Sequence, residues 1–338
     1  MTLFPNDQSD IMERISARST MRTAVVTGPG RMHIEERPLP TPQAGEVRVR
    51  LQGCGVCASN LVPWSGPEWM EFPLPPGDLG HEGWGLVDSI GADVDPGLLG
   101  QRVATLSHAS FAEYDIAQVD EIVPLPKELD GRPVPGEPLG CAMNIFHRSG
   151  IRPGDRVAII GIGFLGALLT QLAANAGAEV IAISRRQSSL ELAEQFGAET
   201  TIAMDDHWQI IETVSQLTEG RFCDVVIETA GKQWPLDLAA ELCAERGRLI
   251  IAGYHQDGPR QVNMQLWNWR GLDVINAHER APEAYRKGTT EAIEAVVAGR
   301  LNPWPLLTHS YPLDRLGEAL DDAAARPDGF VKGFVRFD

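Results

Sequence analysis

Basic residues are in short supply. Lys and Arg total 29 against 46 Asp and Glu, a net charge of −17 at pH 7. That balance excludes a general nucleic-acid binder, which needs a cationic face toward phosphates. Its ordinary consequence is solubility. Cysteine is scarce as well. Five thiols in 338 residues make no disulfide framework, and an odd number suits a reducing compartment with packing or metal-binding roles. No apolar run approaches the roughly 20 residues that span a membrane. The N-terminus lacks a basic start followed by an apolar stretch, so no secretory signal is expected. Internal repeats and low-complexity tracts are absent. A soluble cytoplasmic protein without nucleic-acid or membrane partners is the expectation.

What is present is ordinary globular composition, 43% hydrophobic and 22% charged, in a chain long enough for two cores. Residues 1–20 are polar with little periodicity beyond Ile11, Met12 and Ile15, and read as an N-terminal extension. From Met21 to about Leu129, short β-rich runs alternate with Gly/Pro turns, as in Thr23–Thr27, Glu46–Leu51, Gly85–Ile90 and Arg102–Leu106. That pattern predicts a barrel-like β module. Past Arg152-Pro153-Gly154-Asp155 the pattern changes. Apolar runs of about five residues, starting at Val157–Ile160, Val180–Ile183, Val225–Ile227, Leu249–Ala252 and Val274–Ile275, read as buried parallel strands. Helical stretches separate them: Leu165–Ala176, Ser189–Phe196, His207–Leu217 and Leu236–Cys243. This is a doubly wound α/β sheet. An amphipathic helix over Thr290–Ala298 follows, and from about Leu306 the chain turns β-like and returns to the first unit. The expected partition is 21–150 with 306–338 for one domain and 151–305 for the other.

Gly161-Ile162-Gly163-Phe164-Leu165-Gly166 sits between a strand and a helix. Gly161 allows the tight turn, Gly163 lets backbone approach a pyrophosphate, and Gly166 permits close helix–strand packing. A dinucleotide is therefore expected on this turn, against the alternative of a glycine-rich turn that binds nothing. The end of the next strand selects between cofactors. An Asp or Glu there would accept hydrogen bonds from the adenosine ribose. This chain has Ser184-Arg185-Arg186, a donor followed by two guanidiniums that suit a 2′-phosphate. NADP(H) is preferred over NAD(H), the alternative being that both arginines are solvated.

Three further segments carry metal-ligand chemistry: Gly55-Val56-Cys57-Ala58-Ser59-Asn60, Gly80-His81-Glu82 and Glu137-Pro138-Leu139-Gly140-Cys141. Cys57, His81 and a carboxylate form a three-ligand zinc site with an open position, the catalytic pattern. Separately, each has a bland reading as a packing thiol, a core histidine or a helix-capping glutamate.

Together with Leu307-Thr308-His309, Pro312-Leu313 and Phe330-Val331-Lys332, these motifs resemble the medium-chain zinc-dependent dehydrogenases, from Met21 to Asp338. The resemblance implies a GroES-like β-rich catalytic domain plus a Rossmann domain. It implies Cys57 and His81 as the first two ligands of one catalytic zinc. The third is Cys141 by analogy with the alcohol-dehydrogenase branch, or Glu137 by analogy with the polyol and threonine dehydrogenase branch. Glu137 lies 24 residues before Gly161, which resembles the polyol branch, and is preferred. Glu82 resembles the carboxylate beside the zinc that exchanges with water, and is equally readable as a hydrogen-bond partner that never touches metal. Lys332 looks like a late basic residue that reaches the pyrophosphate, or a surface charge. A homodimer or homotetramer is implied too.

The chain departs from that family in three places. Residues 91–111 contain no cysteine, so no structural zinc is expected, and Cys54 reads as a packing residue. Asn60 stands where the family usually has Asp. Val62 stands where many members carry a proton-relay His. The expected chemistry is hydride transfer between NADP(H) and a secondary alcohol or ketone, such as a polyol, sugar or sugar derivative, with Ser59 accepting the hydroxyl proton. Trp64, Trp69 and Trp84 are placed to stack on substrate or, more commonly, to fill core. Two alternatives stay open: a zinc-free NADPH-dependent quinone or enone reductase, and a non-catalytic NADPH-binding protein.

Overall fold

The computed structural model describes residues 19–337; the extension expected over residues 1–20 lies outside them apart from its last two residues. The chain opens with an antiparallel hairpin, β1 (Thr20–Gly28) and β2 (Arg31–Pro38). A sheet follows from β3 (Glu46–Gly55), β4 (Gly83–Ile90), β5 (Arg102–Thr105), β6 (Tyr114–Gln118) and β7 (Ile122–Pro124), with the short helix α1 (Leu61–Ser65) after β3. Alternation drives it: Val47, Val49 and Leu51 point inward on β3, and Val87 and Val103 meet them. The helix α2 (Gly136–Ser149) then leads to the second unit.

That unit alternates strand and helix: β8 (Arg156–Ile160), α3 (Phe164–Asn175), β9 (Glu179–Ser184), α4 (Gln187–Gln195), β10 (Thr200–Ala203), α5 (His207–Leu217), β11 (Cys223–Glu228), α6 (Gln233–Leu242), β12 (Cys243–Ile251), α7 (Met264–Arg270) and β13 (Asp273–Asn276). The strands pair in parallel in the order β10-β9-β8-β11-β12-β13. The order reverses at β8, so ligands meet the sheet at the carboxyl ends of β8 and β11. Val157, Ala158, Ile159 and Ile160 are fully buried, as expected of a strand covered by helices on both faces.

The remaining chain is α8 (Pro282–Val297), β14 (Leu307–Pro312), α9 (Leu316–Ala325) and β15 (Lys332–Arg336). β14 and β15 are parallel, and β15 pairs antiparallel with β3 in the first sheet. The ending expected to turn β-like from about Leu306 holds these two strands, with α9, not foreseen from the sequence, between them; Leu316, Ala319, Leu320 and Ala323 recur at helical spacing on one buried face. The helix expected over Thr290–Ala298 begins earlier, with Pro282 in its first turn, a position where proline loses no hydrogen bond.

α2 and α8 cross at close range. A methyl at Gly140 would collide with Thr289, and one at Gly288 with Asn144. This crossing fixes Glu137 and Cys141 opposite Tyr285. No helix among the described residues is long and apolar enough to cross a membrane.

Candidate active site

Cys57, two residues past the end of β3, caps a short 3₁₀ turn, its sulfur accepting from the Ser59 N–H at 3.5 Å. The turn is held by Asn60, only 2% exposed. Asn60 Oδ1 accepts the Cys57 N–H at 2.9 Å, and Nδ2 donates to the Leu79 carbonyl at 2.9 Å. Both assignments are forced, because the Cys57 amide can only donate and the Leu79 carbonyl can only accept. The amide at this position therefore does more than preserve the shape of an aspartate: it supplies a donor that a carboxylate lacks.

The same Leu79 carbonyl lies 2.9 Å from His81 Nδ1. That contact places a proton on Nδ1, so Nε2 is the ligand atom once it gives up its own proton to a metal. Asn60 and His81 are thus registered to one backbone oxygen. Cys57, His81 and Glu82 offer ligand atoms that all lie within 4.8 Å of one another. Ser59 Oγ is 3.5 Å from His81 Nε2.

The electrostatics favour a cation at this cluster. Burial works against charge on His81, yet the Cys57 sulfur, then Glu137 and Glu82, raise its pKa to about 10. An imidazole pushed up this far, although half-buried, marks a site whose anionic groups call for positive charge. A softer thiolate, an imidazole and a carboxylate are a donor set that zinc accepts.

Glu82 is fully buried and its carboxylate is ion-paired with Lys332, Nζ–Oε2 2.7 Å. Lys332 also donates to the Val56 carbonyl at 3.2 Å, and its ammonium lies 4.7 Å from the centre of the Phe164 ring. A methyl at Gly55 would overlap the Glu82 carboxylate, so glycine there makes room for it. Lys332 is buried, which corrects its reading as a surface charge. Its ammonium links the candidate metal cluster to the first residue of α3. Burial opposes its charge, but Glu82 and Cys57 hold its pKa above the usual lysine value.

Glu137 lies outside the three-residue cluster. It accepts from the Tyr285 hydroxyl and from the Cys141 thiol, the latter at 3.3 Å. Cys141 Sγ is 3.0 Å from the Tyr285 oxygen. Burial pushes the Glu137 carboxyl and the Cys141 thiol up, and burial with the charge of Glu137 pushes the Tyr285 hydroxyl up. Tyr285 was not foreseen from the sequence. It lies 148 residues from Glu137, and no local pattern connects them. Gln256 was also missed; its Nε2 donates to the Ala58 carbonyl at 3.1 Å, joining the segment after β12 to the Cys57 turn.

The glycine-rich turn has the form its sequence requires. Gly161 has φ +98, and a methyl on it would crowd Thr229 Oγ1. A methyl at Gly166 would strike the Gly161 carbonyl. Gly163 precedes the first turn of α3 without a side-chain cap, and the space its Cβ would enter is open. An uncapped helix N-terminus facing open space fits a pyrophosphate. Phe164 and Leu165 are half-buried at the start of α3. At the end of β9, Ser184 is buried, Arg185 exposed and Arg186 half-buried. Of the aromatics near the metal motifs, Trp64 and Trp84 are core, Trp64 donating to Asp321 Oδ1 at 2.8 Å, whereas Trp69 is 72% exposed. Cys54 is buried, its thiol donating to the Gly55 carbonyl at 3.5 Å.

Residues 165–295 match the family described as zinc-binding dehydrogenase, and residues 43–127 match the alcohol dehydrogenase GroES-like domain. A sorbitol dehydrogenase of Halalkalibacterium halodurans is 26% identical over 325 residues, 86% of this chain and 92% of the relative. A 2-dehydro-3-deoxy-L-galactonate 5-dehydrogenase of Pseudoalteromonas atlantica is 25% identical over 320 residues, 85% of this chain and 91% of its own length. Among solved structures, a chain described as a zinc-binding dehydrogenase from Sinorhizobium meliloti, bound to NADP, superposes with a TM-score of 0.81. It is 26% identical and covers 95% of this chain and 100% of that one.

Proposed function

Because the chain belongs to the medium-chain zinc-dependent alcohol/polyol dehydrogenase family, we propose that it oxidises a secondary alcohol, or reduces the ketone, of a polyol, sugar or sugar derivative with NADP(H). It is an oxidoreductase acting on hydroxyl groups. The convergence of Cys57, His81 and Glu82 within 4.8 Å carries the zinc part of the reading. Bound zinc would supply Lewis acidity toward the substrate oxygen, and bound NADP(H) the hydride exchange.

The chain's own residues divide the remaining work. Cys57 and His81 hold the metal, with Glu137 as third ligand in preference to Cys141, and Glu82 as an exchangeable one. Ser59 Oγ receives the proton of the substrate hydroxyl and passes it toward solvent or the cofactor ribose, since Val62 offers no relay group. Leu79, through its carbonyl, fixes the ring of His81. Gly161, Gly163, Phe164, Leu165 and Gly166 hold the pyrophosphate, and Lys332 stands between that turn and Glu82. Ser184, Arg185 and Arg186 take the 2′-phosphate. The relatives named for sorbitol and for a deoxy-galactonate support a polyhydroxy substrate, and the vicinal oxygen of such a substrate would help fill the metal's coordination. We place the catalytic unit in 21–150 with 306–338 and the dinucleotide unit in 151–305. Free thiols throughout support a cytoplasmic location. The edge strand β13 and the exposed Trp269 of α7 support a homodimer or homotetramer.

A zinc-free NADPH-dependent quinone or enone reductase is the second reading. It draws on the fact that Lys332 and Tyr285 already engage both carboxylates. A panel of polyols, sugars, inositols and simple ketones, run with both cofactors, separates the readings. Turnover of a polyhydroxy alcohol with NADP is expected. Activity confined to quinones or enones would overturn the proposal.

A further inference from the structure

β11 ends where the strand order reverses, and its last residue, Glu228, is a carboxylate with no exposed surface. Glu228 Oε1 accepts the Ala230 and Gly231 N–H groups, both at 2.7 Å, and Oε2 lies 3.0 Å from His255 Nε2. On the other side of that ring, Arg260 Nε donates to His255 Nδ1 at 2.9 Å. An arginine nitrogen can only donate, so Nδ1 carries no proton and the Nε2–H donates to Glu228. His255 is thus a neutral ring fixed at both nitrogens. Arg260 continues to the Gly231 carbonyl at 2.9 Å and to Asp257.

These contacts fix residues 252–263, the strap between β12 and α7. The Gly253 N–H donates to the Glu228 carbonyl at 2.7 Å, and a methyl on Gly253 would strike the Gly231 nitrogen and the Glu228 carboxylate. Farther along, the Gln261 N–H donates to Gln233 Oε1 at 3.0 Å, and Gln233 Nε2 donates back to the Gln261 carbonyl at 2.7 Å. Between these anchors Gln256, next to His255, reaches the other unit. The Ala58 carbonyl that accepts from its Nε2 at 3.1 Å belongs to the peptide group leading into Ser59. The neighbour of Glu228 serves the nucleotide side: the Thr229 N–H donates to the Ile160 carbonyl at 3.0 Å, and its hydroxyl donates to the Gly161 carbonyl.

Given Ser59 as the proton acceptor of the proposed function, we propose that Glu228 is a positioning residue: through His255 and Gln256 it holds Ser59 in register with the glycine-rich turn. The end of β11 thereby governs both the turn that would carry the pyrophosphate and the hydroxyl that would take the substrate proton.

The test uses Glu228→Gln, His255→Leu, His255→Gln and Gln256→Ala in the full chain. Glu228→Gln keeps the volume and still accepts from Ala230 and Gly231, but its amide then faces the His255 Nε2–H. Moving that proton to Nδ1 sets it against Arg260, so one contact is lost either way. His255→Gln keeps a donor and an acceptor; His255→Leu keeps neither. Gln256→Ala changes a half-buried surface residue and keeps the fold, as its thermal unfolding will show. One readout is amide hydrogen exchange over residues 57–61, which needs neither zinc nor turnover. The other is kcat and KM for the polyhydroxy alcohol turned over best, with the affinity for NADPH. Exchange over 57–61 should rise by up to about tenfold, as for one lost hydrogen bond, in every variant except His255→Gln. In the same variants kcat should fall by about tenfold to a hundredfold, as for a reacting group displaced by about 1 Å, with KM and NADPH affinity unchanged. Glu228→Gln combined with Gln256→Ala should be no slower than the slower single variant, because both act along one path. Wild-type exchange and kcat in Gln256→Ala would overturn the inference, as would losses that multiply in the double variant or a fall in NADPH affinity in place of kcat. If wild type oxidises no alcohol, the proposed function fails, and the exchange data alone decide whether Glu228 holds Ser59 in place.

Discussion

Replacing Lys332 by methionine removes, among the described residues, the one side-chain hydrogen-bond and ion-pair partner of the Glu82 carboxylate. Both side chains are buried, 6% and 0% exposed, with Nζ and Oε2 2.7 Å apart. Methionine keeps most of the volume and loses only the charge, including the ammonium over Phe164, so the perturbation is mainly electrostatic. An uncompensated buried carboxylate costs about 3–5 kcal/mol. Against the 5–15 kcal/mol that stabilises an ordinary domain, this is a large share. With a slope of about 3 kcal/mol per molar urea, the unfolding midpoint should fall by about 1–1.7 M. The assay is urea unfolding of chelator-treated protein, with Glu82→Gln and the double variant completing the cycle. Glu82→Gln relieves the orphaned charge, so the double variant should be more stable than Lys332→Met alone, with coupling of about 2 kcal/mol. The Lys332→Met loss should shrink when zinc is added, because a cation then stands near Glu82 again. A fall of under about 0.3 M with additive single effects is what an exposed pair gives. That result would refute the buried Lys332–Glu82 link.

Other outcomes follow from the same site. Tyr285→Phe removes a donor from the buried Glu137 carboxylate and should cost about 1.5–3 kcal/mol of stability, read by urea unfolding; an unchanged midpoint would contradict the contact. Asn60→Ala strips the Cys57 turn of its acceptor and Leu79 of a donor, and should lower zinc affinity by about tenfold to a hundredfold in a competition titration with a chromophoric chelator; unaltered affinity would count against Asn60 as the clasp. In metal-free protein the His81 pKa is raised from 6.5 to about 10. Since it is raised on folding, its stabilisation is complete below about 6.5 and is lost as pH rises toward 10. Urea midpoints measured from pH 6 to 10 should decline across that window, and zinc should flatten the decline because it replaces the proton. A flat profile without metal would show that His81 is not held protonated.

Much of the fold can be read from local pattern. Val157–Ile160 and Val180–Ile183 announce themselves as continuous apolar runs, and Gly161 and Gly166 specify a turn that leaves no room for a side chain at either position. The ligand candidates Cys57 and His81 were legible for a different reason: each sits in a short segment of its own, and the metal chemistry of their side chains narrows the choice. What could not be read was the set of partners. Lys332 reaches Glu82 across 250 residues and Tyr285 reaches Glu137 across 148. Those pairings follow from the return of β15 to β3 and from the α2–α8 crossing, neither of which leaves a periodicity in the chain. The same holds for Asn60, whose two hydrogen bonds depend on where Leu79 arrives. α9 was missed although its apolar spacing is regular, because the β-like runs on either side dominated that stretch.

The central claim is that alcohol oxidation here needs a zinc ion held by Cys57 and His81. Its most direct test is elemental analysis of the purified protein together with alcohol turnover, in wild type, in Cys57→Ala and in His81→Ala. We expect one zinc per chain in wild type, with zinc and turnover lost together in both variants. Full alcohol oxidation by a variant or preparation that contains no zinc would contradict the account.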